Sequence, residues 1–546
     1  MAITLHLFSC LVQFVAAATI TGTADTIVCA ADSRQIVSNG SNTALWPWQE
    51  YQSSDALPPV LLTTSTGEAL FDGLLVIGTV YGSTVPATQE QAPLLMTDSG
   101  DLIWSGPKEP TYNARVQTYN AAPVLTYFSG QGTAGASAVV GHGYGEVIVL
   151  NNEYNVVATV CPQFHHFTLE TGVTAKCHAD VHESFITPRN TMLITAYNTT
   201  QADLTSVGGS KYGWILDSFA AEINISTGEV LFEWHPIAHL PINGSHYPLS
   251  GQGQNQSTPY DFFHMNSIEL VGENYLINSR HFWSTYLVSP QGKILWHING
   301  LDGGDFGQLP QGALFSWEHH ARVIESSSSH AIISWFGNNN ALPNQPGAKI
   351  TTGVTLGLAL PPDPSKPPVL LTNLTDPQLR TNTWSQGSFL HLPNGNMFIG
   401  YGSEPVMIEY GPVKDGATEG HARWTGMFGY GDLVSSYRAY KQIWHATPST
   451  QPSLVVQEIV QNTFLHCTAN ATHLGYVSWN GATDVTDWVI YTGQTNGSLT
   501  AVGRAKKAGF ETQFVVPDGA AFLQVGAIEN NSRDIVRKSK VVAVGS

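Results

Sequence analysis

The sequence predicts an all-β protein, with a six-bladed β-propeller followed by a C-terminal fibronectin type III-like β-sandwich. Apolar runs of strand length alternate with turns rich in Gly, Asn, Asp and Pro, as in antiparallel sheets. Long stretches with the 3.6-residue period of an amphipathic helix are missing from the sequence. A strand–turn–strand unit also recurs at irregular length, which is typical of propellers because their insertions lie in loops.

Two kinds of hairpin alternate along this repeat, and they are interpreted as the outer and inner halves of each blade. The outer kind, whose second strand often carries Trp, occurs at 92–106, 146–160, 221–235, 284–298, 354–371 and 405–424. The inner kind occurs at 116–130, 181–197, 263–280, 318–336 and 385–402. One of each gives four strands per blade, and a first unit near 57–107 brings the number of blades to six.

The chain is predicted to have three segments. Residues 1–18 form a signal peptide, because 3–16 are apolar and the small residues Ala16, Ala17 and Ala18 suit a signal peptidase. A buried N-terminal strand is the alternative. Residues 19–436 form the propeller and 437–546 the sandwich. No later apolar run is long enough to span a bilayer, so we expect a secreted protein or one in the lumen of the secretory pathway.

Cysteines and glycosylation signals agree with secretion. Removal of the signal peptide, with Cys10, leaves an even number of cysteines, which suggests the disulfides Cys161–Cys177 and Cys29–Cys467. Free buried thiols are the alternative. Nine Asn-x-Ser/Thr sequons are candidate glycosylation sites. They lie at Asn39, Asn198, Asn224, Asn243, Asn255, Asn373, Asn470, Asn496 and Asn530.

The charge of the chain limits its partners. A net charge of −18 disfavours nucleic acid and anionic membrane surfaces. An anionic substrate would therefore need a local cationic pocket. The sequence has no Gly-rich phosphate loop and no CxxC pair, so we expect neither a cofactor nor a structural zinc ion.

Three histidines occupy one place in the repeat. His182, His264 and His319 each stand at the start of an inner hairpin, and Gln386 takes that place in a fourth. Because the innermost strands of a propeller surround a central channel, equivalent positions on different blades point to one spot. These residues are therefore predicted to meet.

Arg280 and Asn266 are placed to join them. Arg280 ends the second strand of the His264 hairpin, so antiparallel pairing returns it to the same rim. Asn266 lies two residues after His264, on the same face of the strand. Imidazole can be a nucleophile or a general acid or base, and guanidinium binds sulfate, phosphate or carboxylate oxygens. The set suits transfer of an anionic group, and a metal ion is disfavoured beside the arginine.

Four segments around these residues resemble the arylsulfotransferase family in its fungal secreted branch. They are DVHESFIT (180–187), YDFFHMNSIEL with NYLINSRH (260–281), FSWEHHARVI (315–324) and SQGSFLHLPNGNMFIGYGSEP (385–405). The resemblance covers roughly residues 50–430. It implies an enzyme that needs no nucleotide donor and moves a sulfuryl group between phenolic compounds through a sulfohistidine.

The resemblance also implies roles for individual residues. His319 would be the nucleophile. His264, Arg280 and His182 would bind the sulfuryl oxygens and handle the proton of the phenol, and Asn266 would support them in binding the substrate. The predicted partner is thus a small phenolic compound, and the sequence gives no indication of the oligomeric state.

The third motif departs from the family pattern, which in fungi is similar to WQHDAR. Here Glu318 replaces Gln and His320 replaces an acidic residue. Strand alternation lets only one of His319 and His320 face the channel. We choose His319, and we assign His320 and Gln386 to substrate binding.

Two other functions stay open from the sequence. The altered third motif favours a propeller enzyme that uses the same histidines for acid/base chemistry, as a lyase, isomerase or cyclase acting on a secondary metabolite. The other alternative is a non-catalytic propeller that binds carbohydrate or protein. In that case Trp283, Trp317 and Trp384 could stack on sugars, or could equally pack between blades.

Overall fold

The fold is known from a computed structural model of the chain. It describes residues 26–38, 45–81, 91–132, 141–342, 346–378, 380–414, 416–431, 433–459, 471–530, 532 and 534–545. The predicted signal peptide (1–18), Cys10, Cys467, Asn39 and Asn470 lie outside these residues. Strands dominate the described ranges, and the helices there are short 3-10 turns. These turns are Thr205–Val207, Pro236–Ala238, Ile242–Gly244 and Gly304–Phe306. The predicted all-β class is confirmed.

Among the described residues, six antiparallel sheets of four or five strands follow one another before the C-terminal region. In each sheet, the strand given first below contacts the first strand of a neighbouring sheet, and we call it the innermost strand. The first sheet contains Ala439–Gln442, Leu74–Gly78, Pro93–Met96 and Leu102–Ser105. The second contains Thr111–Tyr119, Ala122–Gly132, Gly143–Leu150 and Val156–Val160. The third contains Ser184–Ile186, Thr191–Ala202, Gly213–Asn224 and Val230–Trp234.

The other three sheets have the same outward order. The fourth contains Met265–Val271, Asn274–Ser279, Ser284–Val288 and Ile294–Asn299. The fifth contains His319–Ser326, His330–Gly337, Thr352–Ala359 and Val369–Leu374. The sixth contains Ser388–His391, Met397–Gly400, Val406–Tyr410, Ala422–Met427 and Leu62–Ser65. The small pair Val80–Tyr81 and Val434–Ser435 lies beside them.

Strand exchange connects the first and sixth sheets. Ala439–Gln442, late in the chain, pairs with Leu74–Gly78 and is the innermost strand of the first sheet. Leu62–Ser65, early in the chain, pairs with Ala422–Met427 at the outer edge of the sixth. The innermost strand of the first sheet contacts those of the second and sixth sheets. The boundary expected between 436 and 437 thus falls before a strand that belongs to these six sheets.

Buried aromatic and aliphatic side chains fill the spaces between the sheets. Leu276 and Leu287 of the fourth sheet pack with Ile333 and Val354 of the fifth in one such cluster. The tryptophans that mark the outer hairpins are buried in these clusters, which explains their recurrence. They are Trp104, Trp234, Trp296 and Trp424.

The C-terminal region consists of two sheets around a core that includes Trp488. One contains Ala30–Asp32, Glu511–Val515, His473–Ser478 and Ser453–Glu458. The other contains Ser498–Lys506, Val485–Thr495, Phe522–Glu529, Arg537–Lys538 and Val542–Ala543. Asn480 joins this region to the first sheet, because its amide accepts from Ser105 N–H and donates to the Ser105 carbonyl. A further pair, Gln35–Val37 with Trp48–Glu50, lies near the N-terminus.

The predicted glycosylation sites differ in their exposure to solvent. Asn243, Asn255, Asn496 and Asn530 are exposed. Asn198, Asn224 and Asn373 are half-buried.

In the part of the chain that the structure describes, no helix is both long and apolar enough to cross a membrane.

Cys161 and Cys177 form the predicted disulfide, with their Cα atoms 5.2 Å apart. Cys29 is also disulfide-bonded. Replacing Cys161 and Cys177 together by serine is expected to lower the free energy of unfolding by about 3 kcal/mol, because the unfolded chain regains the freedom of a loop of roughly 15 residues. Denaturant unfolding measures this loss. An unchanged midpoint would contradict a stabilising role for the disulfide.

Candidate active site

A small cavity lies where the innermost strands begin. Its volume is about 140 Å³, and His182, His264, Arg280, His319 and Gln386 line it together. Their shared place, within two residues of the start of an innermost strand, explains why they meet. His264 immediately precedes an innermost strand, His319 begins one, and His182 and Gln386 each stand two residues before one. The structure therefore brings together most of the site residues expected from the sequence.

Asn266 and His320 are not brought to the cavity wall. Asn266 is buried behind it, where its side-chain amide donates to the Glu318 carbonyl at 2.7 Å. His320 does not line the cavity, and it lies where a β-bulge interrupts the regular alternation of the strand between His319 and Arg322. Its Nδ1 lies 3.1 Å from the Phe389 carbonyl, and its ring packs against Tyr440. Direct substrate contact by these two residues, as expected from the sequence, does not fit this arrangement.

The neighbours of His319 fix its protonation. Its Nδ1 donates to Asn338 Oδ1 at 2.7 Å. The Asn338 amide nitrogen donates to Thr383 Oγ1 and to the Gln386 carbonyl, so its oxygen must face the imidazole. Gln386 N–H donates to His319 Nε2 at 3.3 Å. Burial, assisted by the charge of Arg280, lowers the pKa of His319 well below its ordinary value. The ring is therefore neutral, with a lone pair on Nε2.

His182 and His264 each form a buried pair with an aspartate. His182 Nδ1 lies 2.5 Å from Asp180 Oδ2, and His264 Nδ1 lies 2.5 Å from Asp261 Oδ2. The carboxylates orient both rings through Nδ1, so neither carboxylate engages Nε2 of its histidine. The ring centroids are 4.9 Å apart. Gly141, at a φ of 94°, allows its backbone to approach His264, since a Cβ there would lie 3.2 Å from His264 Cε1.

Arg280 is held from several sides. Its Nη1 donates to His281 Nε2 at 2.9 Å, and its Nη2 donates to the carbonyls of Ala341 and Trp384. The guanidinium lies 5.1 Å from the centroid of the Trp317 ring. These contacts fix a buried cation at the edge of the cavity.

Asp261, His264 and His281 lie close enough together to be considered as metal ligands. However, His281 donates from Nδ1 to the Asp261 carbonyl and accepts from Arg280 at Nε2, so both of its nitrogens are engaged. A neighbouring guanidinium also repels a cation. The chemistry of this donor set does not fit a metal ion.

Glu183 lies behind the histidines and binds three arginines. Its carboxylate lies 2.5 Å from Arg322, 3.1 Å from Arg438 and 3.4 Å from Arg115. Burial alone would raise the pKa of Glu183, but the three guanidinium groups lower it to about 2. Arg115 and Arg322 lie in the second and fifth sheets, and Glu183 and Arg438 each directly precede the innermost strand of the third and first sheets. They place an excess of positive charge behind the cavity.

Sequence reasoning missed several residues of the site. Asp180, Asp261 and His281 lie within the quoted motifs, next to the predicted histidines. Tyr437 lines the cavity and stands two residues before Ala439–Gln442, so the register used for His182 would have found it. Asn338 follows the strand that pairs with the His319 strand, and no spacing marks it.

Asn338 is expected to position His319. Replacing it by alanine removes the acceptor that fixes the tautomer, so we expect group transfer to fall by about 10–100-fold, as for loss of one buried hydrogen bond. Steady-state kinetics should show that the loss of activity is mainly a loss in kcat. Asn480→Ala, which removes a side-chain amide far from the cavity, is the matched control. Equal losses in both variants would contradict a specific role.

A neutral imidazole with an electron pair on Nε2, two histidine–aspartate pairs and a fixed arginine form the kind of site with which enzymes transfer anionic groups. The family model described as Arylsulfotransferase (ASST) matches residues 115–418, more than half of the chain. The chain belongs to the arylsulfotransferase family. Its function is therefore arylsulfotransferase-like at the level of the family. No curated protein matches the chain.

Solved structures similar to the chain are distant from it. A protein of unknown function from Bacteroides caccae is 11% identical, with a TM-score of 0.34, over 68% of this chain and 98% of its own. The periplasmic gluconolactonase PpgL of Pseudomonas aeruginosa is 10% identical, with a TM-score of 0.33, over 68% and 99%. The Cps50 (Swd1) β-propeller domain of Myceliophteria thermophila is 10% identical, with a TM-score of 0.29, over 68% and 97%. Similarities this low carry no argument about function.

Proposed function

We propose that this protein transfers a sulfuryl group from one phenolic compound to another through a sulfohistidine at His319. The observation that carries this proposal is the state of His319, whose Nε2 holds an electron pair while Nδ1 donates to Asn338. The family membership supports the same class of chemistry. The acid/base alternative would use the same cavity without a sulfated donor.

In the first half-reaction, the electron pair of His319 Nε2 forms a bond to the sulfur of an aryl sulfate. The sulfur–oxygen bond to the ring breaks, and its electrons leave with the phenolate. The imidazole gains positive charge, which the Asn338 oxygen stabilises through Nδ1–H. The phenolate then takes up a proton from the solvent. In the second half-reaction the oxygen of another phenol forms a bond to the sulfur, and the bond between the sulfur and His319 Nε2 breaks with its electrons returning to the imidazole. The proton of this phenol passes to His182 or His264 and from there to the solvent.

The other residues stabilise the sulfuryl group or move protons. Arg280 lines the cavity with His319 and would donate to the sulfuryl oxygens, and the Nε2 atoms of His182 and His264 would handle the proton of the phenol. A cavity of about 150 Å³ is known to hold benzene, so a space of this size suits one small group near His319. The rest of the substrate would extend past Trp384 and the exposed side chain of Leu342.

We further propose that the six sheets are the blades of one closed propeller, followed by a fibronectin type III-like domain that begins after Gln442 rather than at 437. The strands exchanged between the first and sixth sheets support closure and this boundary. A signal peptide over 1–18, secretion, glycosylation at the exposed sequons and membership of a fungal branch complete the proposal. The Cys161–Cys177 disulfide is compatible with secretion.

Intact-mass measurement tests the mechanism directly. After incubation with 4-nitrophenyl sulfate, the protein should gain one acid-labile sulfuryl group, and peptide mapping should locate it on the peptide that contains His319. Addition of phenol should discharge the label, with ping-pong kinetics. An unlabelled protein that turns over no aryl sulfate would contradict the proposal. Product formed without any sulfated donor would favour the acid/base alternative.

A further inference from the structure

Another histidine, His142, lies in the wall of the same cavity. It stands just before Gly143–Leu150, the third strand of the second sheet, and so has a different register from His182. It is buried and lines the cavity with His182 and His264. Its ring stacks on Tyr197, with the centroids 5.3 Å apart, and Tyr197 in turn stacks on His182 at 5.4 Å. His142 is therefore packed into the same aromatic group as the predicted site.

Glu170 holds the His142 ring in place. His142 Nε2 lies 2.6 Å from Glu170 Oε1, and the Tyr144 hydroxyl donates to Glu170 Oε2 at 2.7 Å. Glu170 lies in the segment that the Cys161–Cys177 disulfide closes. A carboxylate only accepts, so Nε2 carries a proton. The pairing therefore leaves Nδ1 as the one ring nitrogen available to a ligand.

His142 Nδ1 is buried and has no hydrogen-bond partner among the described residues. Burial alone would lower the pKa of His142, but the hydrogen bond and the charge of Glu170 outweigh it and raise the pKa. By contrast, burial lowers the pKa of His264, His281 and His319 well below the ordinary value. The surroundings of His142 favour an imidazolium, whose free N–H suits an anionic acceptor.

We propose that His142 is a further substrate-binding residue, whose Nδ1–H donates to an oxyanion of the bound substrate while Glu170 holds the ring. Assigning that substrate as an aryl sulfate rests on the proposed function. The contact itself requires only a tetrahedral oxyanion in the cavity. It gives the cavity a second cation besides Arg280, in a chain whose net charge of −18 repels anions.

The groups that face His142 define its pH dependence. They are the carboxylates of Glu170, Asp180 and Asp261, the phenols of Tyr144 and Tyr197, and the imidazole of His264. Asp180 and Asp261 are paired with His182 and His264, so Glu170 is the carboxylate that contacts His142 itself. Affinity for an anion should therefore fall as the pH rises through the raised pKa of His142. Removing the charge of Glu170 should move that fall to lower pH.

Calorimetric titration of the full chain with inorganic sulfate tests the inference without any turnover. At pH 6, His142→Gln is expected to weaken sulfate binding by about tenfold or more, as for loss of a charge-assisted hydrogen bond. Glu170→Gln should shift the pH profile of sulfate affinity to lower pH, which a merely structural role would not do. The matched control is His297→Gln, since His297 pairs with Asp305 on the surface, and it should bind sulfate like the wild type.

Each outcome is decisive for His142. Wild-type protein that binds no sulfate, or His142→Gln protein that binds it with unchanged affinity, would overturn the inference. If thermal melts show that His142→Gln does not fold, the pH profile of sulfate affinity of Glu170→Gln decides the question. An unshifted profile would contradict the inference. Sulfate binding and labelling of His319 are separate measurements. An unlabelled His319 with normal sulfate binding overturns only the proposed function.

Discussion

Replacement of His319 by asparagine is expected to lower sulfuryl transfer from 4-nitrophenyl sulfate to phenol by at least about 10⁴-fold, as for loss of a catalytic nucleophile. The variant keeps a polar side chain of moderate size but has no imidazole to attack sulfur. The loss should appear in the rate constants of both half-reactions, and the acid-labile label should disappear. Stopped assays of nitrophenol release, together with intact mass, measure both effects.

His320→Gln is the matched control for that experiment. His320 is the neighbouring buried histidine, but it contacts Phe389 and Tyr440 instead of the cavity. It should keep the label on His319 if the protein stays folded, as a thermal melt will show. Loss of the label in His320→Gln, with a label retained in His319→Asn, would reverse the assignment of the nucleophile.

Hairpins could be predicted from the sequence because their signals are local. The predicted hairpin 92–106 coincides with the strands Pro93–Met96 and Leu102–Ser105, and the predicted 263–280 with Met265–Val271 and Asn274–Ser279. Pairing between distant segments leaves no such signal. Leu62–Ser65 pairs with Ala422–Met427 through backbone hydrogen bonds, which any sequence of strand character can make. This is why the exchange of strands between the first and sixth sheets could not be predicted from the sequence.

The same distinction applies to the site. His182, His264 and His319 could be predicted because a repeated register brings equivalent positions of different sheets together. Glu170 could not, because it lies in a loop whose position depends on packing rather than on the repeat. His142 precedes the third strand of its sheet rather than the innermost one, so the register argument excludes it. The residues that orient and charge the site thus come mostly from outside the repeat.

Glu183 also depends on partners that are distant in the sequence. Its replacement is expected to have the largest effect on stability. Glu183 follows His182 directly, but its partners Arg115 and Arg322 lie in two other sheets, and Arg438 directly precedes the innermost strand of a third. Glu183→Gln would leave three buried guanidinium groups without their carboxylate. We expect the free energy of unfolding to fall by about 3–5 kcal/mol, as for other broken buried ion pairs. Guanidinium chloride unfolding measures this change.

The pH dependence of stability separates this charge effect from simple loss of packing. The folded pKa of Glu183, about 2, lies below the ordinary value of 4.5. Its contribution is therefore complete above the ordinary value and is lost as the pH falls from there toward 2. The difference between wild type and Glu183→Gln should shrink over that window. Glu273→Gln, which removes an exposed partner of Arg189, is the control and should change little. If the difference in free energy of unfolding between wild type and Glu183→Gln stays constant with pH, the carboxylate charge of Glu183 is not what stabilises its contacts with the three arginines.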